Sequence, residues 1–178
     1  ATYNGGWIEA GFSYDELNRC ANQLARYLLA IGVTNKHYLA IFLGRTSQTI
    51  VAYLAALKIG ACYVPLDPIH PSKRYTKILE ELANNSLIVI SKQEHLIALD
   101  GLNMDTVCLD QQLTLIEKYD TSDVNMTILS SQLAYVIYTS GTSGGPKGVM
   151  VNRNALDHSN AARMEYYQYQ PDVFLLLS

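Results

Sequence analysis

Thr139, Ser140, Gly141, Thr142, Ser143, Gly144, Gly145 and Lys147 crowd four hydroxyls, three glycines and one ammonium into nine positions. The stretch lies between two apolar runs, Leu133–Tyr138 and Gly148–Val151. Glycines let backbone N–H groups approach an anion, hydroxyls add donors, and lysine adds a point charge. The pattern is suited to cradling phosphate. It is not a Walker A loop, because Lys147 is preceded by Pro146 and followed by Gly148 rather than sitting in Gly-Lys-Ser/Thr. Nor do glycines at 141, 144, 145 and 148 make the dinucleotide fingerprint, which also needs a helix immediately after it. On composition alone the same residues also describe a glycine- and serine-rich hairpin joining two strands. Lys147 could hold phosphate or tie the loop through an internal ion pair.

The elements around this loop alternate. Ser13 and Glu16 have the spacing of a capping box. Leu17, Cys20, Ala21, Leu24, Leu28 and Ile31 follow at helical spacing, and Gly32 stops the helix. Strands are expected at Tyr38–Leu43, Ala61–Pro65, Leu87–Ser91, Thr106–Leu109, Gln132–Tyr138 and Gly148–Val151. Helices are expected at Ser47–Ile59, from Pro71 to about Ala83, and at Asn154–Tyr167. The pattern predicts an α/β fold with a mostly parallel sheet and helices on both faces. Such sheets bind ligands at the carboxyl ends of their strands, where the Thr139–Lys147 loop falls. The polar, weakly periodic stretch Asp110–Ser131 reads as a surface excursion, and Trp7–Phe12 as the start of a hairpin. Lys58 is expected to complement a helix C-terminus, Asp67 to serve a turn, and Tyr166, Tyr167 and Tyr169 to pack along an amphipathic face.

Composition narrows the classes. The chain carries 13 basic and 16 acidic residues, a net charge of −3 without a basic stripe, so nucleic acid is not an expected partner. No apolar run approaches the ~20 residues of a membrane span. Cys20, Cys62 and Cys108 are odd in number and widely spaced. They fit neither a zinc site nor a disulfide framework and are read as buried thiols in a reducing cytoplasm. His37, His70, His95 and His158 share no ligand spacing and are read as surface or loop residues.

Tyr138-Thr139-Ser140-Gly141-Thr142-Ser143-Gly144-Gly145-Pro146-Lys147-Gly148 resembles the AMP-binding signature of the adenylate-forming superfamily, which includes acyl- and aryl-CoA synthetases, luciferases and peptide-synthetase adenylation domains. Phe12–Asn18 with Ala21–Leu28, and Leu57–Pro68, resemble the first and second core motifs of nonribosomal peptide synthetase adenylation domains. Acyl-CoA synthetases usually differ at Tyr63-Val64-Pro65-Leu66-Asp67. The three motifs occur in family order and span most of the chain. Ser143 stands where threonine is common, and Asn152-Arg153-Asn154 replaces a stretch where the family often has histidine.

The resemblance implies that an amino acid carboxylate attacks the α-phosphate of Mg-ATP, giving an adenylate and pyrophosphate. The acyl group then passes to a phosphopantetheine thiol on a carrier domain of the same polypeptide. The loop would hold the β- and γ-phosphates, with Thr142 and Ser143 as side-chain contacts and Gly141 and Gly144 giving close backbone approach. The resemblance covers residues 1–178 as an incomplete N-terminal subdomain. The adenine site, the residues selecting the amino acid and the catalytic lysine would lie in the missing part, so no catalytic residue is assigned and the chain alone is expected to be inactive. Two other readings stay open: a fragment of an acyl-CoA synthetase, and a short interaction protein derived from such a domain. Sheet edges exposed by an incomplete lobe predict self-association.

Overall fold

A computed structural model describes residues 13–140 and 145–167; the expected hairpin at Trp7–Phe12 and Tyr169 lie outside them. Helix α1 (Tyr14–Ala30) starts at a complete capping box: the Glu16 N–H donates to Ser13 Oγ at 3.2 Å, and the Ser13 N–H donates to Glu16 Oε2 at 2.8 Å. The Ser13 N–H and the Ser13 hydroxyl, both donating to Glu16 Oε2, hold the Glu16 carboxyl below its usual range. Strand β1 (Tyr38–Phe42) leads to α2 (Ser47–Ile59). Gly60 ends α2 at φ 77°, in the left-handed region that glycine enters without steric cost. Next come β2 (Cys62–Leu66), α3 (Ser72–Ala83), β3 (Leu87–Ser91), a short α4 (Gln93–Leu96) with a 3-10 turn at Ile97–Leu99, and β4 (Asp105–Cys108). Then follow α5 (Leu109–Ile116), β5 (Leu133–Ser140), β6 (Pro146–Asn152) and α6 (Arg153–Tyr167).

The six strands order as β4-β3-β1-β2-β5-β6. All neighbours are parallel except β5 and β6. Side chains alternate along β1. Leu39 and Ile41 face a core shared with α1, α2 and α5, whereas Ala40 and Phe42 face a core shared with α3. Helices therefore cover both faces, as the sequence predicts. The crossover β1–α2–β2 runs over the first face, and β2–α3–β3 returns past β1 over the second. Opposite directions over opposite faces give the crossovers one hand and make the β1/β2 boundary a topological switch point.

The stretch Asp110–Ser131 differs from its expected form. Its first part is helix α5, whose Leu109 and Ile116 are buried, with Leu113, Tyr119 and Val124 packed against the same core. The spacing 109, 113, 116 is helical and was masked by the polar residues between. The remainder is fastened to α1 by side-chain donors. Gln23 Nε2 reaches the carbonyls of Glu117 and Tyr119, and Arg26 reaches those of Asp120, Ser122 and Asp123. Asp123 receives Asn18, Asn22 and Lys58, which hold its carboxyl below the usual range. Lys58 thus has an ion pair besides its place in the last turn of α2. Tyr166 and Tyr167 are another correction: they are 80% and 66% exposed and pack edge-on against each other. His95 lies on α4 rather than in a loop, with its ring edge-on to Phe42 at 5.9 Å.

All three cysteines are free and buried. Burial pushes Cys20 up to about 11 and Cys62 up to about 12. It also pushes the stacked phenols Tyr53 and Tyr63 up to about 12. The folded chain keeps these protons to higher pH than an unfolded chain does. Their contribution is therefore complete below about pH 9 and is lost as pH rises toward 12. The midpoint of urea unfolding should fall steadily between pH 9 and 11; an unchanged midpoint would contradict the burial of these groups.

Candidate phosphate-binding site

Strand β5 pairs with β2 at one position, Tyr63 opposite Tyr135, although both strands run further. Pro65 accounts for this. The Cys62 N–H donates to the His37 carbonyl on the β1 side at 3.1 Å. Strand alternation then turns positions 63 and 65 toward β5. Proline has no N–H to donate, so the ladder to β5 stops there. Beyond it lies a cleft of about 270 Å³ at the carboxyl ends of β1, β2 and β5. Gly44 and Arg45 line it from the loop after β1, Asp67 and His70 from the loop after β2, Arg74 from α3 and Tyr138 from β5.

Asp67 performs the expected turn role by accepting from the Ile69 N–H at 2.9 Å. Its other oxygen lies 3.9 Å from Arg45 Nε and orients that guanidinium. Arg74 Nη2 donates to the Tyr138 carbonyl at 3.0 Å, beyond the β5 position paired with β2. The Tyr138 hydroxyl donates to Glu81 Oε1 at 3.1 Å. Burial, then the Glu81 charge, pushes this phenol up to about 12. It stays a neutral donor at physiological pH.

Strands β5 and β6 form an antiparallel hairpin, with Thr139 opposite Lys147 and Ser140 opposite Pro146. The two readings left open by composition are geometrically compatible, because the glycine-rich loop is both a hairpin connection and a loop at the carboxyl end of a parallel strand. Of the predicted residues, Thr139, Ser140, Gly145 and Lys147 come together at the mouth of the hairpin. Gly141, Thr142, Ser143 and Gly144 lie outside the described residues. Thr139, Ser140 and Lys147 are exposed. The Thr139 hydroxyl reaches the Lys147 carbonyl at 3.5 Å. No carboxylate among the described residues lies within ion-pair distance of Lys147, which leaves its ammonium available to an anion. Among the described residues no cluster of three His, Cys, Asp or Glu side chains could hold a metal, and no helix is long and apolar enough to cross a membrane.

Two glycines of the hairpin leave room for close neighbours. A Cβ on Gly145 would stand 2.7 Å from Lys77 Nζ. On Gly148 it would meet Val136 Cγ1 at 3.0 Å and the Tyr138 ring at 3.2 Å, so the Tyr138 ring packs across the bare backbone of its cross-strand partner. Arg45, Arg74 and Lys77 are the cations that motif reading missed. They are single basic residues in unremarkable local sequence, and the crossovers bring them to the hairpin. After the hairpin, Asn152 Oδ1 accepts from the Ala155 N–H at 2.8 Å at the start of α6. The Arg153 guanidinium donates to the Leu57 carbonyl near the end of α2. These contacts give the Asn152-Arg153-Asn154 departure a structural role.

The sequence model of the AMP-binding enzyme family matches residues 7–178. The chain belongs to that family. Relatives carry the matched region inside much longer proteins. Gramicidin S synthase 2 of Brevibacillus brevis is 39% identical over 167 residues, 93% of this chain and 4% of that protein. The dimodular nonribosomal peptide synthase of Bacillus subtilis is 35% identical over 166 residues, 92% of this chain and 7% of its own length. Among solved structures, VinN with 3-methylaspartate superposes with a TM-score of 0.77 at 20% identity, covering 89% of this chain and 45% of that one. The α-methyl-L-serine-AMP-bound form of the nonribosomal peptide synthetase FmoA3 superposes with a TM-score of 0.74 at 25% identity, covering 87% and 17%. The chain thus spans less than a tenth of these curated relatives and less than half of these solved chains.

Substituting Gly148→Ala tests the packing at the hairpin. In an ordinary strand position alanine is favoured over glycine; here its methyl would displace the Tyr138 ring held by Glu81. We expect destabilisation of about 1–3 kcal/mol in denaturant unfolding. A stabilised variant would mean that the ring is free to move away.

Proposed function

We propose that this chain is the N-terminal part of the large lobe of a peptide-synthetase adenylation domain, within a longer polypeptide that activates an amino acid. A carboxylate oxygen of the amino acid attacks the α-phosphorus of ATP. The bond from that phosphorus to the α,β-bridging oxygen breaks, and pyrophosphate leaves. A phosphopantetheine thiol on a carrier domain then attacks the acyl carbon, forming a thioester and releasing AMP. The observation that carries this reading is the similarity, along nearly the whole chain, to multimodular peptide synthetases. The second core motif, Leu57–Pro68, agrees with that branch rather than with acyl-CoA synthetases.

The hairpin fits the role assigned to it. Negative charge accumulates on the departing pyrophosphate, and preorganised donors at that position lower the barrier. Thr139, Ser140, Thr142 and Ser143 would supply hydroxyls, Gly141, Gly144 and Gly145 close backbone approach, and Lys147 a positive charge. Magnesium would enter with the nucleotide, held mainly by its phosphates. The residues that choose the amino acid and that transfer protons lie outside this chain in this reading. Three buried free thiols fit a reducing cytoplasm.

In the complete polypeptide, amino acid-dependent exchange of pyrophosphate into ATP should fall by roughly 100-fold in Lys147→Ala. Undiminished exchange would remove Lys147 from the phosphate site, and absence of exchange with any amino or carboxylic acid would overturn the reading. The isolated chain exposes Val149 and Met150 on edge strand β6, and α6 buries no residue. We expect it to self-associate through this edge. Light scattering that reports a monomer at all concentrations would refute that expectation.

A further inference from the structure

Helix α3 presents Arg74, Lys77 and Glu81 at three- and four-residue spacing, one stripe along one face. The outer two are engaged by the hairpin: Arg74 by the Tyr138 carbonyl and Glu81 by the Tyr138 hydroxyl. These contacts fix the face of α3 against the end of β5. The middle residue, Lys77, is carried to the other limb of the hairpin. Its Nζ lies against Gly145, 2.7 Å from where a Cβ would stand, so a side chain there would push the ammonium aside. Among the described residues Lys77 has no carboxylate partner. In a chain of net charge −3, Lys77 from α3 and Lys147 from β6 are two ammonium groups at one hairpin with no paired acid among the described residues.

We propose that Lys77 is a second phosphate-binding cation of this site, contacting the β- and γ-phosphates of ATP and the pyrophosphate they become. Resting on the proposed function, this adds a residue from a different element, 70 positions away from Lys147 in sequence. An ammonium is a point charge that several phosphate oxygens can share, and its hydrogen bonds to anions are charge-assisted. A purely structural role for Lys77 would not be specific to phosphate.

The test uses the complete polypeptide with Lys77→Met, Lys77→Arg and Gly145→Ala. In exchange assays Lys77→Met should raise the KM for ATP and that for pyrophosphate each roughly tenfold and leave the KM for the amino acid unchanged. Lys77→Arg should keep most of the wild-type behaviour. Gly145→Ala, which forces the ammonium away, should move in the direction of Lys77→Met. Equal ATP and pyrophosphate parameters in wild type and Lys77→Met would overturn the proposal, as would equal increases in the KM for both substrates. Titration calorimetry with magnesium pyrophosphate carries the test without turnover. If wild type binds but does not exchange, the adenylation reading fails while Lys77 is still judged by the loss of binding in Lys77→Met. If wild type binds no pyrophosphate, both fail.

Discussion

A missing hydrogen bond organises this molecule. Pro65 stands inside β2 with its donor-less nitrogen on the side of β5, and the parallel ladder between the two strands ends at Tyr63 and Tyr135. A full ladder would carry β5 alongside β2 and close the sheet over the switch point. Instead the ladder ends early, and a cleft lined by both strands opens at the carboxyl ends, where loops from β1 and β2 leave toward opposite faces. The backbone groups that β2 no longer pairs must be satisfied elsewhere. Arg74 takes the Tyr138 carbonyl, which faces the β2 side.

The hairpin is consequently held from α3 and from its own second strand more than from the central sheet. Tyr138 is the pivot. Its carbonyl is bonded to Arg74 and its hydroxyl to Glu81, and its ring lies across Gly148. Further along, Arg153 ties the end of β6 to the last turn of α2. The root of the hairpin is thus anchored to helices on both faces, while Thr139, Ser140 and Lys147 remain exposed. A phosphate site benefits from this arrangement, because donors must be positioned before the anion arrives and yet must not be consumed by internal partners.

Much of this was legible in the residues. The capping box at Ser13, the stop at Gly60 and the alternation of β1 depend on neighbours a few positions apart, and they form as the local pattern requires. Pro65 marked the end of an expected strand, but the side toward which its nitrogen faces depends on strand order, which local pattern does not contain. Helix α5 was hidden because only Leu109, Leu113 and Ile116 carry its periodicity. The exposure of Tyr166 and Tyr167 was misjudged for a related reason: an amphipathic pattern gives a face, not the partner that covers it. The contacts of Arg74 with Tyr138 span 64 residues of sequence, so no motif reading could join them, whereas the glycine–hydroxyl–lysine pattern announced its chemistry because its parts are contiguous.

The central claim is that the β5–β6 hairpin, braced by α3, holds the phosphates of ATP. Hydrogen exchange of the complete polypeptide, read by mass spectrometry with and without ATP and its amino acid, tests this most directly. The account predicts slower exchange in peptides covering Thr139–Gly148 and the Ser72–Lys77 part of α3 when ligand is present. Unchanged exchange there, with protection confined to other parts of the polypeptide, would contradict it.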